Sequence, residues 1–369
     1  MIADEHCCLI ALSLTPGVGA VNARRLVDYF GSARAVFEAG EALRMKVPGI
    51  GMVTARKIGN REAFKRAETE LAFLERHRIR ALYLPDHGYP ERLRQCEDAP
   101  LVLYCKGTHA LQDVKMVAVV GTRHASERGR DFCDKLVAGM AGRGGYCVVS
   151  GLAYGIDVAA HKACLKYGVP TIGVLGHGLD RIYPSPHRQL AAKMLEAGAL
   201  VTDFVSQTEI ERQNFLRRNR IIGGLVDAVI IVESAEKGGA LVTADLAQSY
   251  NRDVFAVPGR ISDCYSRGCN ALIKYQKAGL LENLDDLEYF MSWQPEVDSP
   301  GAIQIPLFPK LSPAGQKIAD LLRGRKLSVD ELAQEIHLPA GQLASLLLEL
   351  EFSGVLSCLP GKIYRLRNE

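Results

Sequence analysis

Six short apolar runs set at helix-length intervals constrain this chain more than any other feature. They are Met116–Val120, Cys147–Ser150, Thr171–Leu175, Leu200–Phe204, Ala228–Val232 and Val254–Val257. Each is rich in β-branched residues and lacks the polar alternation of a half-exposed strand. Each therefore reads as a strand buried on both faces of a parallel sheet. Strand–helix alternation of this kind specifies a doubly wound α/β domain, placed at residues 110–290. In such sheets the ligand sits beyond the C-terminal strand ends, where loops lead into helices.

The flanks have a different texture. Residues 1–65 read as a helical domain with an internal echo. Thr15-Pro16-Gly17-Val18-Gly19, followed by Ala23-Arg24-Arg25-Leu26, returns as Val47-Pro48-Gly49-Ile50-Gly51, followed by Ala55-Arg56-Lys57-Ile58. Glycine permits the tight turn and leaves helix N–H groups facing outward. Such groups can bind a phosphate oxygen, as in a helix-hairpin-helix pair. The alternative is a bundle whose glycines only make turns. Residues 66–109 read as a connector: a charged helix from Ala67 to Arg78, a short strand, and loops around Pro85, Pro90 and Pro100. Four prolines, Pro295, Pro300, Pro306 and Pro309, mark 291–309 as a linker. Residues 310–369 read as three helices and a hairpin, a winged-helix-like unit. Its second helix opens on the capping box Ser328-Val329-Asp330-Glu331. Its third helix lacks the basic residues that read bases in the major groove, which favours protein contact or packing over duplex binding.

Length and composition allow two or three ordinary globular domains: 369 residues, 48% hydrophobic, 24% charged. A formal net charge of only +3 means that any anion site must come from local arrangement. The N-terminus carries early acids and no basic segment, a poor signal peptide. No run approaches the roughly 18 apolar residues that span a bilayer. The ten cysteines form no C-x-x-C pair and no zinc-ligand spacing. Reduced thiols in a cytoplasm and no metal are expected. Cys7 and Cys8 fit a buried pair better than a lipidated thiol.

Four loops at the strand ends carry the chemistry. The first, Gly121-Thr122-Arg123-His124, offers a close backbone approach, a hydroxyl and a guanidinium. It also fits an ordinary surface loop. The second runs from Ser150 and Gly151 through Gly155 to Asp157, with His161 one turn on. That pair could work as acid and base, but a structural pair is the better reading. The third, Gly176-His177-Gly178-Leu179-Asp180, leads through Tyr183-Pro184 to Arg188 at the next helix start. The fourth, Phe215-Leu216-Arg217-Arg218-Asn219-Arg220, is the densest basic cluster. Asn219 and Arg220 suit buried structural roles. Free amides and several guanidinium groups, with no evident nucleophile–base pair, suit a phosphodiester backbone better than a neutral small molecule.

In their order these residues resemble the DprA/Smf family: Gly121-x-Arg123; Ser150-Gly151-x-Ala153-x-Gly155-Ile156-Asp157-x-x-Ala160-His161; Gly178-Leu179-Asp180-x-x-Tyr183-Pro184; Arg218-Asn219-Arg220-Ile221-Ile222; Ala256-Val257-Pro258-Gly259; and Gly268-Cys269-Asn270-x-Leu272-Ile273. The resemblance covers about 110–290 strongly. It implies an extended Rossmann-like domain, mostly parallel, flanked by a helix-hairpin-helix or SAM-like domain and a winged-helix-like domain. It implies single-stranded DNA binding without catalysis or cofactor, and dimerisation. It also implies loading of the recombinase RecA onto the strand, displacement of single-strand-binding protein, and a role in DNA uptake and natural transformation. Carried over by motif, Arg123 and Arg188 would hold phosphates. Gly121, Thr122, Ser150, Gly151 and Gly178 would line the strand, and Arg217 and Arg218 would be rim contacts. Asp157, His161, Asn219 and Arg220 would be structural. Two departures touch the groove: Leu216 stands where the family commonly has proline, and Lys274–Gly279 replaces a short Gly-Ala segment. The competing reading is a hydrolase of nucleoside monophosphates on the same fold, with Glu233 and the loop Lys237–Thr243 as its counterpart motif. That loop lacks the expected proline and the glycine before the threonine. A RecA adaptor without DNA contact is a third class.

Overall fold

The computed structural model describes residues 4–108, 114–293 and 311–367. The chain divides into two units, Met1–Leu284 and Asp285–Glu369.

The first unit is built on nine strands: β1 (Arg80–Tyr83), β2 (Val102–Gly107), β3 (Lys115–Val120), β4 (Tyr146–Ser150), β5 (Thr171–Val174), β6 (Ala199–Thr202), β7 (Ala228–Ile231), β8 (Asp253–Ala256) and β9 (Gly279–Leu280). Their order is β1-β2-β6-β5-β4-β3-β7-β8-β9. From β3 to β9 every pairing is parallel, and only the pairings of β2 are antiparallel. The six apolar runs form six of these strands. Val117, Ala118, Val148, Val149, Val229 and Ile230 are wholly buried, as strands covered on both faces must be.

Two expectations are corrected. The segment 66–109 is not a connector with one strand, because β1 and β2 both join the sheet and extend it past β6. The boundary at 65 falls inside the helix Arg61–His77, and the helices before it are not a separate domain. Their buried Leu12, Leu26 and Ile58 share one core with Leu103, Val149 and Ile231 of the sheet. The first helix, Glu5–Leu14, buries Cys7 through Leu12 without interruption. A helix apolar on every side must be covered on every side, and the helix Arg61–His77 and strand β2 help to cover it. Burial also pushes the thiols of Cys7 and Cys8 up.

The internal echo is a pseudo-two-fold pair. Gly17 and Gly49 have φ of +88° and +89°, and Gly19 and Gly51 cap the helices that follow. Gly17 faces Thr54, while Gly49 faces Asn22, whose side chain donates to the Gly49 carbonyl at 3.4 Å. Three of the four basic residues, Arg24, Arg25 and Arg56, are engaged by carbonyls or acids. Arg24 donates to the carbonyls of Arg94 and Cys96 at 3.0 and 2.9 Å. Arg25 pairs with Glu97 and Arg56 with Glu41. These commitments favour the scaffold reading of the repeat over phosphate binding.

In the second unit the helices Pro313–Leu321, Val329–Ile336 and Ala340–Phe352 pack around Ile318, Leu332, Leu343 and Leu347. The capping box at Ser328 and Glu331 is formed. Strands β11 (Leu356–Leu359) and β12 (Ile363–Leu366) make the hairpin, and β10 (Leu327–Ser328) adds to it. The third helix exposes Ala344, Leu348 and Phe352. The proline linker lies outside the described residues from 294 to 310. No disulfide joins the described cysteines, eight of which are buried.

Candidate nucleic-acid interface

The chain leaves β3 toward β4, β5 and β6 on one side, then returns to place β7 on the other. Strand order reverses at β3 and β7, and a crevice forms there beyond the C-terminal ends. Arg123 stands exposed in the loop after β3. The loop is held from below. The Thr122 amide donates to the Glu233 carbonyl at 2.7 Å, and the Thr122 carbonyl accepts from the Ile156 amide at 3.1 Å. Gly155, at φ +81°, lies so close to Thr122 and Arg123 that a Cβ there would sit 2.1 Å from the Thr122 oxygen.

From Arg123 the exposed groups continue around this end of the sheet. Tyr154 adjoins Gly155 and meets the His187 ring edge-on at 4.8 Å. His187 is pinned by the Leu152 carbonyl at 2.9 Å. It immediately precedes Arg188, which is exposed on the first residue of the helix Arg188–Ala197. Tyr183 packs against Phe215 at 5.7 Å. Two residues on, exposed Arg217 lies over the Phe204 ring at 5.6 Å.

Of the other expected contacts, Gly121 and Thr122 are partly exposed, and Ser150, Gly151, Gly178 and Arg218 are buried. Ser150 is fully buried and donates its hydroxyl to the Val119 carbonyl at 2.6 Å. Gly151 is buried because neighbouring side chains fill the space above it. A Cβ there would lie 2.5 Å from the Arg218 guanidinium and 2.6 Å from an Asp157 oxygen. Gly178 is buried against the Val205 carbonyl, 2.4 Å from where its Cβ would stand. Gly121 is packed on Ile156 and Glu233 in the same way. At each of these glycines the space a side chain would need is taken by protein atoms. Arg218, expected at the rim, is only 4% exposed. It donates to the carbonyls of Gly151 at 2.6 Å and of Val174, tying its helix to the ends of β4 and β5.

Asp157 and His161 do not form a pair. Asp157 accepts from the Ala153 amide at 3.3 Å, and burial raises its carboxyl although Arg218 opposes this. His161 bonds the Thr171 hydroxyl through Nδ1 at 2.7 Å. Burial, helped by Arg218 and His187, pushes its pKa down to about 3. Arg220 pairs with Asp203 and the Asp98 carbonyl, and Asn219 is buried beside Gly239. Leu216 lies exposed on the helix Arg212–Gly224, where a proline would remove an amide from its ladder. The other departure ends a helix and turns through Gln276, at φ +55°, into edge strand β9.

Sequence reasoning gave no role to Tyr154 or Tyr183, and placed Glu233 only in the competing hydrolase reading. Tyr154 and Tyr183 sit inside the quoted loops, and their position among glycines and arginines was the available signal. Glu233 accepts from the Ser126 amide at 2.9 Å and from the Ser126 hydroxyl, closing the start of the helix Glu127–Arg143. Among the described residues no group of three or more His, Cys, Asp or Glu side chains could hold a metal ion. None of the described helices is long and apolar enough to cross a membrane.

The model of DNA recombination-mediator protein A matches residues 80–292. The chain belongs to the DprA/Smf family. The DprA winged-helix domain matches residues 306–362. Protein Smf from Escherichia coli is 38% identical over 320 residues, 82% of each chain. Protein Smf from Synechocystis is 31% identical over the whole of both chains. The crystal structure of DprA from Streptococcus pneumoniae aligns with 78% of this chain and 98% of its own, at 29% identity and a TM-score of 0.66. DprA from Helicobacter pylori, described for its single-stranded DNA binding mode, aligns with 58% of this chain and 96% of its own. That match has 27% identity and a TM-score of 0.52.

Proposed function

We propose that this chain, as a dimer in the cytoplasm, holds single-stranded DNA across the C-terminal end of its sheet. It acts as a recombination mediator that loads RecA onto the strand in place of single-strand-binding protein, as in DNA uptake. One observation carries the binding reading. Arg123, Arg188 and Arg217 are exposed on three separate segments of one sheet end, and none forms an ion pair among the described residues. Arg218, the fourth arginine expected there, is turned inward. Guanidinium groups left without carboxylates suit the phosphates of a flexible strand. The single-stranded DNA binding described for the Helicobacter pylori relative supports the same reading.

Three neutralised phosphates predict a log–log salt slope of about −2, at roughly 0.7 per phosphate on a single strand. Arg123→Ala and Arg188→Ala should each weaken dT-oligomer binding by about 1–3 kcal/mol and flatten that slope by about 0.7. Fluorescence anisotropy across a salt series measures both. A double variant that binds like the parent at moderate salt would refute the assignment.

The hydrolase reading is weakened by Glu233. Its carboxylate is already engaged by the Ser126 amide and hydroxyl at the start of the helix Glu127–Arg143, so it is not free to act on a substrate. Gly129 sits so close that a Cβ there would lie 2.6 Å from that carboxylate. Incubation with nucleoside monophosphates is expected to release no free base.

A further inference from the structure

Cations and aromatic rings occur together at the exposed end of the sheet. The Arg123 backbone packs on Gly155, next to Tyr154; Tyr154 meets His187, which precedes Arg188; and Tyr183 meets Phe215, two residues before Arg217. Tyr154 is 48% exposed and Tyr183 46%. A tyrosine left half in water beside arginines keeps about half of its surface free for a ligand. Each ring is also held. Tyr154 touches His187 edge-on at an interplanar angle of 68°, and Tyr183 meets Phe215 at 41°. A single contact of this kind covers at most one face of each tyrosine ring. His187 is in turn 7% exposed and bonded to Leu152, so the support beneath Tyr154 is fixed.

We infer that Tyr154 and Tyr183 are base-stacking platforms, so that this protein grips the bases of the strand as well as its phosphates. The inference rests on the phosphate reading above and deepens it. A single strand presents a phosphate and an unpaired base face at every nucleotide, the two kinds of group that exposed arginines and exposed tyrosine rings can meet. In a duplex the same base faces are taken up by their neighbours. The arginines attract either nucleic acid, and the two rings confer the preference for a single strand. Stacking on an aromatic ring tolerates any base, so no sequence preference follows.

The test compares a dT oligomer with an abasic oligomer of equal length and equal phosphate count, on the full-length protein. The parent is expected to bind dT more tightly. Tyr154→Ala and Tyr183→Ala should each weaken dT binding roughly 5- to 100-fold, the range for loss of one base–aromatic stack. Abasic binding should stay unchanged, so the gap between the two oligomers closes. Tyr154→Phe and Tyr183→Phe keep the ring and should restore it. Both side chains are half exposed, and unchanged thermal midpoints will confirm that the variants fold. Arg123→Ala should weaken both oligomers alike. If it weakens neither, the phosphate reading falls and takes the inference with it. If it weakens both while the tyrosine variants keep the parent's gap, the stacking inference alone is overturned.

Discussion

Arg218→Ala should destabilise the first unit by about 3–5 kcal/mol, the cost of leaving a buried charge without its partner. The arginine is 4% exposed, and burial pushes its pKa down to about 10. It holds its place through carbonyl acceptors at the ends of two neighbouring strands, Gly151 after β4 and Val174 in β5. Asp157 crowds the same side of Gly151 and draws on the same positive charge. Truncation would strand two carbonyls and a buried carboxylate at once. Lysine should not rescue, because one ammonium cannot reproduce a planar fork. Asp157→Asn in the alanine background should recover part of the loss by removing the uncompensated charge. Urea unfolding at neutral pH, read as a change in midpoint at constant m-value, measures each step. A variant within about 0.5 kcal/mol of the parent that no longer binds dT would instead return Arg218 to the phosphate contacts.

Arg218 also marks where the sequence was legible and where it was not. The doubly wound sheet could be read because strands buried on both faces have no polar alternation to disguise them. The C-terminal unit could be read because caps and turns are local. The Arg-Arg-Asn-Arg cluster, by contrast, has one composition and two destinies. On a helix, adjacent residues point about 100° apart, so Arg217 and Arg218 cannot both face the groove. The phase was recoverable: Asn214, Arg218, Ile221, Ile222 and Leu225 are all buried and fall at helical spacing. Read on that phase, Arg218 points inward. The glycines misled for a different reason. A glycine that lets a phosphate approach and one that lets a guanidinium or carbonyl approach look the same in sequence. Gly151 and Gly178 are of the second kind, and only tertiary packing distinguishes them. The helices before residue 65 were separated from the sheet for a similar reason, since their shared core is made by contacts distant in sequence.

His161 gives the protein an acid limit that a neutral-pH experiment would not show. Thr171 donates its one hydroxyl hydrogen to the Val148 carbonyl at 2.9 Å, so it must accept from His161. That fixes the proton on Nδ1. Nε2 is left as a buried acceptor with no hydrogen-bond partner among the described residues. It lies beside Gly173, whose missing side chain leaves room for Met194 and Leu200. A second proton would put a charge into this apolar surround, near Arg218. The folded pKa is therefore pushed down to about 3, against roughly 6.5 in the unfolded chain. A lowered folded value means that the unfolded chain binds the proton first. The stabilisation is complete above about pH 6.5 and is lost as pH falls toward 3, at up to about 1.4 kcal/mol per pH unit. Burial also lowers the pKa of His177, and its loss adds to the slope in the same direction. His161→Asn keeps a donor for Thr171 and removes the titration. The variant should be less stable than the parent at pH 8, and its urea midpoint should fall more gently from pH 6.5 to 4.5. The two curves should converge as the pH drops. Parallel curves across that window would mean that His161 takes up its proton as readily in the folded protein as in the unfolded one, and that the apolar surround of Nε2 exacts no electrostatic cost.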